Sequence, residues 1–191
     1  MKKGEKPTVE QLEAALHSAK KSGSYHRALR STIYALLVVA AVAILVATLV
    51  MPILQISGSS MTPVIGDGEI AAVLKTDKLE RGDIIAFYYN NKVLVKRVIA
   101  FPGERVYIDT NGKVFIDGAE LEEPYLTEWA KGNCDIDMPY QVPEGRYFVL
   151  GDHRSTSADS RSKVIGPVSQ EQVLGKVVLR IWPLKRFGLI K

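Results

Sequence analysis

The apolar residues of this chain follow two different patterns. From Tyr34 to Leu54 (YALLVVAAVAILVATLVMPIL) the run is apolar apart from Thr48, and no charge occurs between Arg30 and Asp67. At about 1.5 Å per residue, such a run makes a helix of roughly 31 Å, close to the ~30 Å hydrocarbon core of a bilayer. A secretory leader carries an apolar region of only roughly 7–15 residues and ends at small residues. This run is longer, closes on Met51, Pro52 and Ile53, and follows a thirty-residue polar lead. It reads as a retained membrane anchor, which excludes a soluble cytoplasmic enzyme. Within the lead, Thr8 and Gln11 have capping-box spacing, and Val9, Leu12 and Leu16 recur at helical spacing. A short amphipathic helix is expected over residues 8–22.

Beyond the anchor the period shortens. Ile70–Leu74, Asp83–Tyr89, Lys92–Ala100, Arg105–Asp109, Lys113–Asp117, Arg146–Leu150 and Lys176–Ile181 are brief runs rich in Val, Ile, Tyr and Phe. Most are bounded by Gly, Pro, Asn or Asp, the punctuation of an all-β domain. Thr110-Asn111-Gly112 predicts a hairpin turn, with Asn111 and Gly112 at positive φ. No helical pattern of ten or more residues follows the anchor. The expected architecture is therefore one transmembrane helix (residues 31–56) between a polar lead (1–30) and an all-β barrel or sandwich (57–191). Residues 118–143 are polar with weak periodicity and read as an inserted loop or ribbon.

Charge adds orientation. The chain carries a net +4, and residues 1–30 hold all of it, seven Lys/Arg against three Glu. The remainder is balanced, with 18 basic and 18 acidic residues. Positive charge ahead of the span predicts a single-pass protein of the cell membrane, its N-terminus cytoplasmic and its β domain outside. A neutral outer domain lacks the basic face that nucleic-acid binding needs. The lone Cys134 cannot close an internal disulfide. The outer domain also has one histidine, His153, and neither a phosphate-binding Gly-rich loop nor a dinucleotide fingerprint. No metal and no cofactor is expected.

Three segments then stand out. Ser57-Gly58-Ser59-Ser60-Met61-Thr62-Pro63 lies just past the anchor; alone, it also reads as an exit loop. Val93-Leu94-Val95-Lys96-Arg97-Val98-Ile99-Ala100 is apolar on both faces around two adjacent charges. Burial of such a strand disfavours the ammonium of Lys96 and lowers its pKa, unless the amine snorkels to the surface. Arg97 stays charged and needs a carboxylate or solvent. A neutral lysine is what a serine nucleophile requires where no histidine serves. Gly151-Asp152-His153-Arg154-Ser155-Thr156-Ser157-Ala158-Asp159-Ser160-Arg161 follows an apolar strand. If extended, it puts Asp159 and Arg161 on one face, while Ser157 can offer a hydroxyl to an amine. By itself it also reads as a polar surface loop.

In this order, the segments resemble the sequence boxes of type I signal peptidases, the membrane-bound serine/lysine proteases that remove secretory leader peptides. Ser60-Met61-Thr62-Pro63 is similar to the nucleophile box and Arg81-Gly82-Asp83-Ile84-Ile85-Ala86-Phe87 to the strand box after it. Lys96-Arg97-Val98 is similar to the general-base box and Gly151 to Arg161 to the last. The single span and small outer domain look most like the Gram-positive members. The resemblance implies Ser60 as nucleophile, Lys96 as general base, Ser157 as hydrogen-bond partner of Lys96, and Asp159 with Arg161 as a supporting ion pair. It implies an oxyanion site at the Ser60 backbone N–H, and signal peptides of secretory preproteins as substrates at the lipid bilayer, with the secretion translocon as a partner. Met61 and Leu94, beside these residues, are the candidate pocket walls. The chain departs from the pattern twice: Gly58 stands where some members have an oxyanion serine, and His153 where the last box often has Asn.

Three rival readings use the same residues. A sortase-like anchored thiol transpeptidase would use Cys134 with His153 and an arginine. A Ser60/His153 pair would replace the lysine. A non-catalytic membrane-anchored binding or assembly protein would use neither.

Overall fold

A computed structural model describes residues 8–190; Lys2, Lys3, Glu5 and Lys6, counted in the charge of the lead, lie outside it. The chain divides into two units, one ending at Ala47 and one beginning at Thr48. Among the described residues the first is a single helix, α1 (Val9–Val50), which continues into the first residues of the second unit. Its stretch Arg27–Val50, 24 residues, is long and apolar enough to cross a membrane. The large side chains there are exposed, among them Leu36, Val39 and Ile44. An unbroken apolar cylinder with its side chains uncovered is suited to lipid rather than water.

Two boundaries differ from the sequence expectation. The lead helix and the span are one continuous helix, with Gly23 inside it. The helix also stops at Val50, four residues before the apolar run does. Pro52 has no N–H to donate and biases Met51 away from helical angles. The remaining apolar residues become strand β1 (Ile53–Gln55).

Among the described residues the second unit contains eleven more strands: β2 (Ile70–Leu74), β3 (Ile84–Tyr89), β4 (Lys92–Ala100), β5 (Arg105–Ile108), β6 (Val114–Ile116), β7 (Ala119–Glu120), β8 (Tyr140–Gln141), β9 (Arg146–Leu150), β10 (Val168–Ser169), β11 (Val173–Trp182) and β12 (Gly188–Leu189). They form two antiparallel sheets. The larger runs β1-β2-β11-β3-β4-β9-β10, with β12 also on β11, and the smaller runs β7-β6-β5-β8. The fold is all-β with one N-terminal apolar helix.

Alternation places the core. On β3, Ile84 and Ala86 join one apolar cluster with Met61, Ile65 and Val177, while Ile85 and Phe87 join another with Val98, Tyr147 and Val149. On β9, Phe148 and Leu150 point the other way, into a third cluster with Val106, Ile108, Val114 and Ile116 of the small sheet. The central strands are thus apolar on both faces because both faces are covered.

Turn chemistry is partly unlike the expectation. Gly112 has φ +87°, but Asn111 is not at positive φ. Asp109 Oδ1 instead accepts from the Asn111 and Lys113 N–H groups, at 2.9 and 2.8 Å. This side-chain turn does the work expected of a second left-handed residue. The tight left-handed pairs occur elsewhere, at Asn90-Asn91 (φ 42° and 63°) and Asp117-Gly118 (φ 51° and 89°). They join β3 to β4 and β6 to β7 as two-residue hairpins.

Candidate active site

Ser60 sits on a loop that is pinned at its base. Ile56 N donates to Glu69 O at 2.8 Å and Gly68 N to Ile56 O at 2.9 Å. Gly58, at φ +95°, donates its N–H to Asp67 Oδ1 at 2.7 Å. Past Ser60, Ile65 N donates to Met61 O at 2.8 Å, and both side chains are buried in the first cluster. Glu69, itself buried, receives Arg180 of β11 at 2.6 Å and Arg186 at 2.5 Å. Arg180 also donates to Val64 O, and Arg186 to Pro63 O at 3.2 Å. Two arginines from the C-terminal strand and the turn after it therefore clamp the backbone just beyond Ser60.

Lys96 reaches this loop from β4. It is only 4% exposed, and its Nζ lies 2.6 Å from Ser60 Oγ in a hydrogen bond. Burial pushes the amine down to about 8 from its ordinary 10.5. The carboxylates of Asp159 and Asp152 pull it back up, and Arg161 pushes it down. The amine does not snorkel: it stays buried, held against Ser60 Oγ.

The last segment packs behind this pair as a row of buried ion pairs. Arg161 grips Asp159 with two bonds, at 2.8 and 2.7 Å, as the sequence suggested. Arg97 takes Asp152 in the same bidentate way, at 2.8 and 2.7 Å, and stacks 3.8 Å from the Tyr125 ring. Arg154 pairs with Glu123, whose other role is to accept from Tyr125 Oη at 2.7 Å. These bonds hold the Gly151 peptide on both sides: its N–H donates to Asp159 Oδ2 at 3.0 Å and its C=O accepts from Arg154 Nε at 3.1 Å. A side chain at Gly151 would place Cβ 2.6 Å from Ser60 O and 2.1 Å from Ser157 Oγ. Only glycine lets the two loops come this close.

One expected contact is not made. Ser157 Oγ is buried without a hydrogen-bond partner among the described residues, so the expected bond to Lys96 is absent. Its hydroxyl lies against Gly151 instead, and Lys96 is held by Ser60.

Sequence reasoning missed Glu123, Tyr125 and Asp152. For Asp152 there was a signal, since a buried Arg97 demands a carboxylate. Glu123 and Tyr125 had none, being single residues in a segment without periodicity. The segment 118–143 contributes β7 and β8, the Glu123 carboxylate, and Lys131 O, which accepts from Arg161 at 2.6 Å. It is a brace, not a bare loop.

A cleft of about 130 Å³ opens over Ser60 and Lys96. One wall is formed by residues 54–58 and the other by residues 93–96, and Met61 and Leu94 both line it. β9 pairs with β4 only from Arg97 onward, and β1 pairs only with β2. Both walls are therefore backbone edges open to an added strand. The remaining candidates do not line the cleft. The His153 ring faces Thr62, with Nδ1 3.2 Å from Thr62 Oγ1. Cys134 is a half-buried free thiol whose Sγ contacts Ile136 O at 3.8 Å.

Comparison with known proteins gives a consistent set of relatives. Residues 29–182 match the family described as signal peptidase, peptidase S26. Signal peptidase IB of Staphylococcus aureus is 37% identical over 152 residues, covering 69% of this chain and 78% of the relative. Signal peptidase I of Streptococcus pneumoniae is 30% identical over 173 residues, covering 70% and 83%. A crystal structure of a signal peptidase I from Enterococcus faecalis V583 is 34% identical, with a TM-score of 0.43, and covers 52% of this chain and 97% of that one.

Proposed function

The chain belongs to the signal peptidase family, peptidase S26, and from that premise we propose that it cuts signal peptides from secreted proteins with Ser60 as nucleophile and Lys96 as general base. The observation that carries the assignment of roles is the 2.6 Å contact between Lys96 Nζ and Ser60 Oγ, made by an amine whose burial lowers it to about 8. An unperturbed ammonium is almost wholly protonated at neutral pH and cannot accept a proton. A lysine near 8 is neutral in about one molecule in ten at pH 7, and in that form the Ser60 hydroxyl donates to its lone pair.

The reaction runs through an ester. Ser60 Oγ attacks the scissile carbonyl carbon while its proton passes to Lys96 Nζ. The Ser60 N–H donates to the oxyanion that forms. As the C–N bond breaks, Lys96 returns the proton to the departing amine of the mature protein. A water then gives a proton to Lys96 and attacks the ester, and Ser60 leaves as an alcohol on recovering that proton. The buried pair Asp159–Arg161 holds the loop behind Lys96, and the Asp159 charge limits how far the lysine is depressed.

The cleft fits an extended peptide laid as a strand between the two open edges. Its small volume, walled by Met61 and Leu94, suits the short side chains that leaders offer at their cut. The anchor keeps the site at the bilayer, and the basic lead supports a cytoplasmic N-terminus with the β domain outside. There the substrate arrives beside its own apolar segment as the translocon delivers it, and confinement raises the effective concentration.

The test is a preprotein-cleavage assay on the full-length protein in detergent. Ser60→Ala and Lys96→Ala each lower turnover by at least about three orders of magnitude with the fold retained, while Cys134→Ala keeps full activity. Near-normal turnover by either of the first two variants would end the assignment.

A further inference from the structure

We infer that His153 is a positioning residue for the nucleophile, fastening the Ser60 turn to the last loop through its main-chain N–H and its imidazole Nδ1. The inference rests on the Ser60–Lys96 reading above. His153 N donates to Ser60 O at 3.1 Å, and Nδ1 lies 3.2 Å from Thr62 Oγ1. The Thr62 hydroxyl has a single hydrogen, which goes to Ser59 O at 2.7 Å. It therefore has only lone pairs left for the ring, and Nδ1–H must be the donor. This assigns the tautomer: Nδ1 carries a proton in the neutral ring as well as in the charged one.

The consequence is mechanical. Thr62 N also donates to Ser59 O, at 3.1 Å, so Ser59, Ser60 and Thr62 form one small turn with two ties to the single residue His153. That turn aims Ser60 Oγ at Lys96. His153 does not line the cleft. Losing its ring therefore loosens the aim of the nucleophile without changing what the substrate touches. A displacement of about 1 Å in a reacting group costs up to about 100-fold in rate; one of the two ties survives in any variant, so a smaller loss is expected. What the position needs is a side-chain N–H donor of short reach, which asparagine also supplies.

The experiment measures kcat and KM for preprotein cleavage by the full-length protein in detergent, in five forms: unaltered, His153→Ala, His153→Asn, Thr62→Val and the double variant His153→Ala/Thr62→Val. His153→Ala is expected to lower kcat roughly tenfold with KM within about twofold, the signature of an effect on the chemical step. His153→Asn is expected to restore kcat to within about twofold. Thr62→Val also loses the hydroxyl bond to Ser59 O, so it should be at least as impaired as His153→Ala, and the double variant should be no worse than Thr62→Val, in which the His153–Thr62 bond is already gone. His153 is partly exposed, so thermal unfolding of its variants should match the parent. Unaltered kcat in His153→Ala, failure of His153→Asn to rescue, or multiplied losses in the double variant would each overturn the inference. Failure of the parent reading looks different: Lys96→Ala would stay active while both His153 variants were dead, which would make the ring itself the base.

Discussion

Lys96 is a lysine placed where an ammonium is poorly solvated, and its environment determines both rate and stability. Cleavage requires the neutral amine, so kcat/KM should rise with pH along an acidic limb centred near 8, not near 10.5. A limb at the ordinary lysine value would contradict the burial argument. The stability consequence has a definite sign. The unfolded chain takes up the lysine proton at about 10.5 and the folded chain only at about 8. Between these values the unfolded state binds more protons, so stability rises with pH through that window. Below about 8 the folded state bears the full cost of the buried charge, about 3 kcal/mol for this shift. Lys96→Met should therefore abolish cleavage yet raise the unfolding midpoint in detergent at pH 7, by an amount that shrinks as pH climbs from 8 to 10.5. A midpoint at pH 7 no higher than that of the parent would sink this account. The burial of Lys96 was legible in its apolar flanks on both faces. The rotamer of Ser157 was not, because it depends on the close approach of Gly151.

At the scale of elements, the segment 118–143 is the instructive case. Strands such as β2, β4 and β9 match their predicted bounds residue for residue, because alternation and bounding turns are local signals. The insertion has little of either, and acts through isolated groups: Glu123 on Arg154, Tyr125 on Arg97, and Lys131 O on Arg161. Removing one partner of a buried pair costs about 3–5 kcal/mol, since the other charge stays behind without its counter-ion. Glu123→Ala should accordingly lower the unfolding midpoint steeply and reduce cleavage with it. Glu122→Ala, one residue away and exposed, should shift stability by no more than about 0.5 kcal/mol. Equal effects in a thermal-unfolding comparison would show that the brace carries no weight. Tyr125 fits the same picture: burial and the neighbouring Glu123 both raise its phenol, keeping it protonated as a donor.

For the whole molecule the testable property is which way the chain faces. The basic excess of the lead predicts that a cysteine placed at Lys3 reacts with a membrane-impermeant maleimide only after cells are opened. One placed at the exposed Glu128 should react in intact cells, both in a Cys134→Ala background. The reverse pattern would invert the proposed orientation. The anchor, the all-β domain and the three chemistry-bearing segments could all be read from the order of residues. Helix-length apolarity, strand alternation and short motifs are properties of neighbours along the chain. Tertiary structure alone decided which distant groups meet: Ser60 with Lys96, Arg97 with Asp152, Arg154 with Glu123, and Ser157 with no partner among the described residues. The carboxylates of the β domain are chemically alike in sequence. Only the folded packing selects which of them is desolvated beside a given arginine, and how much water is left around one amine.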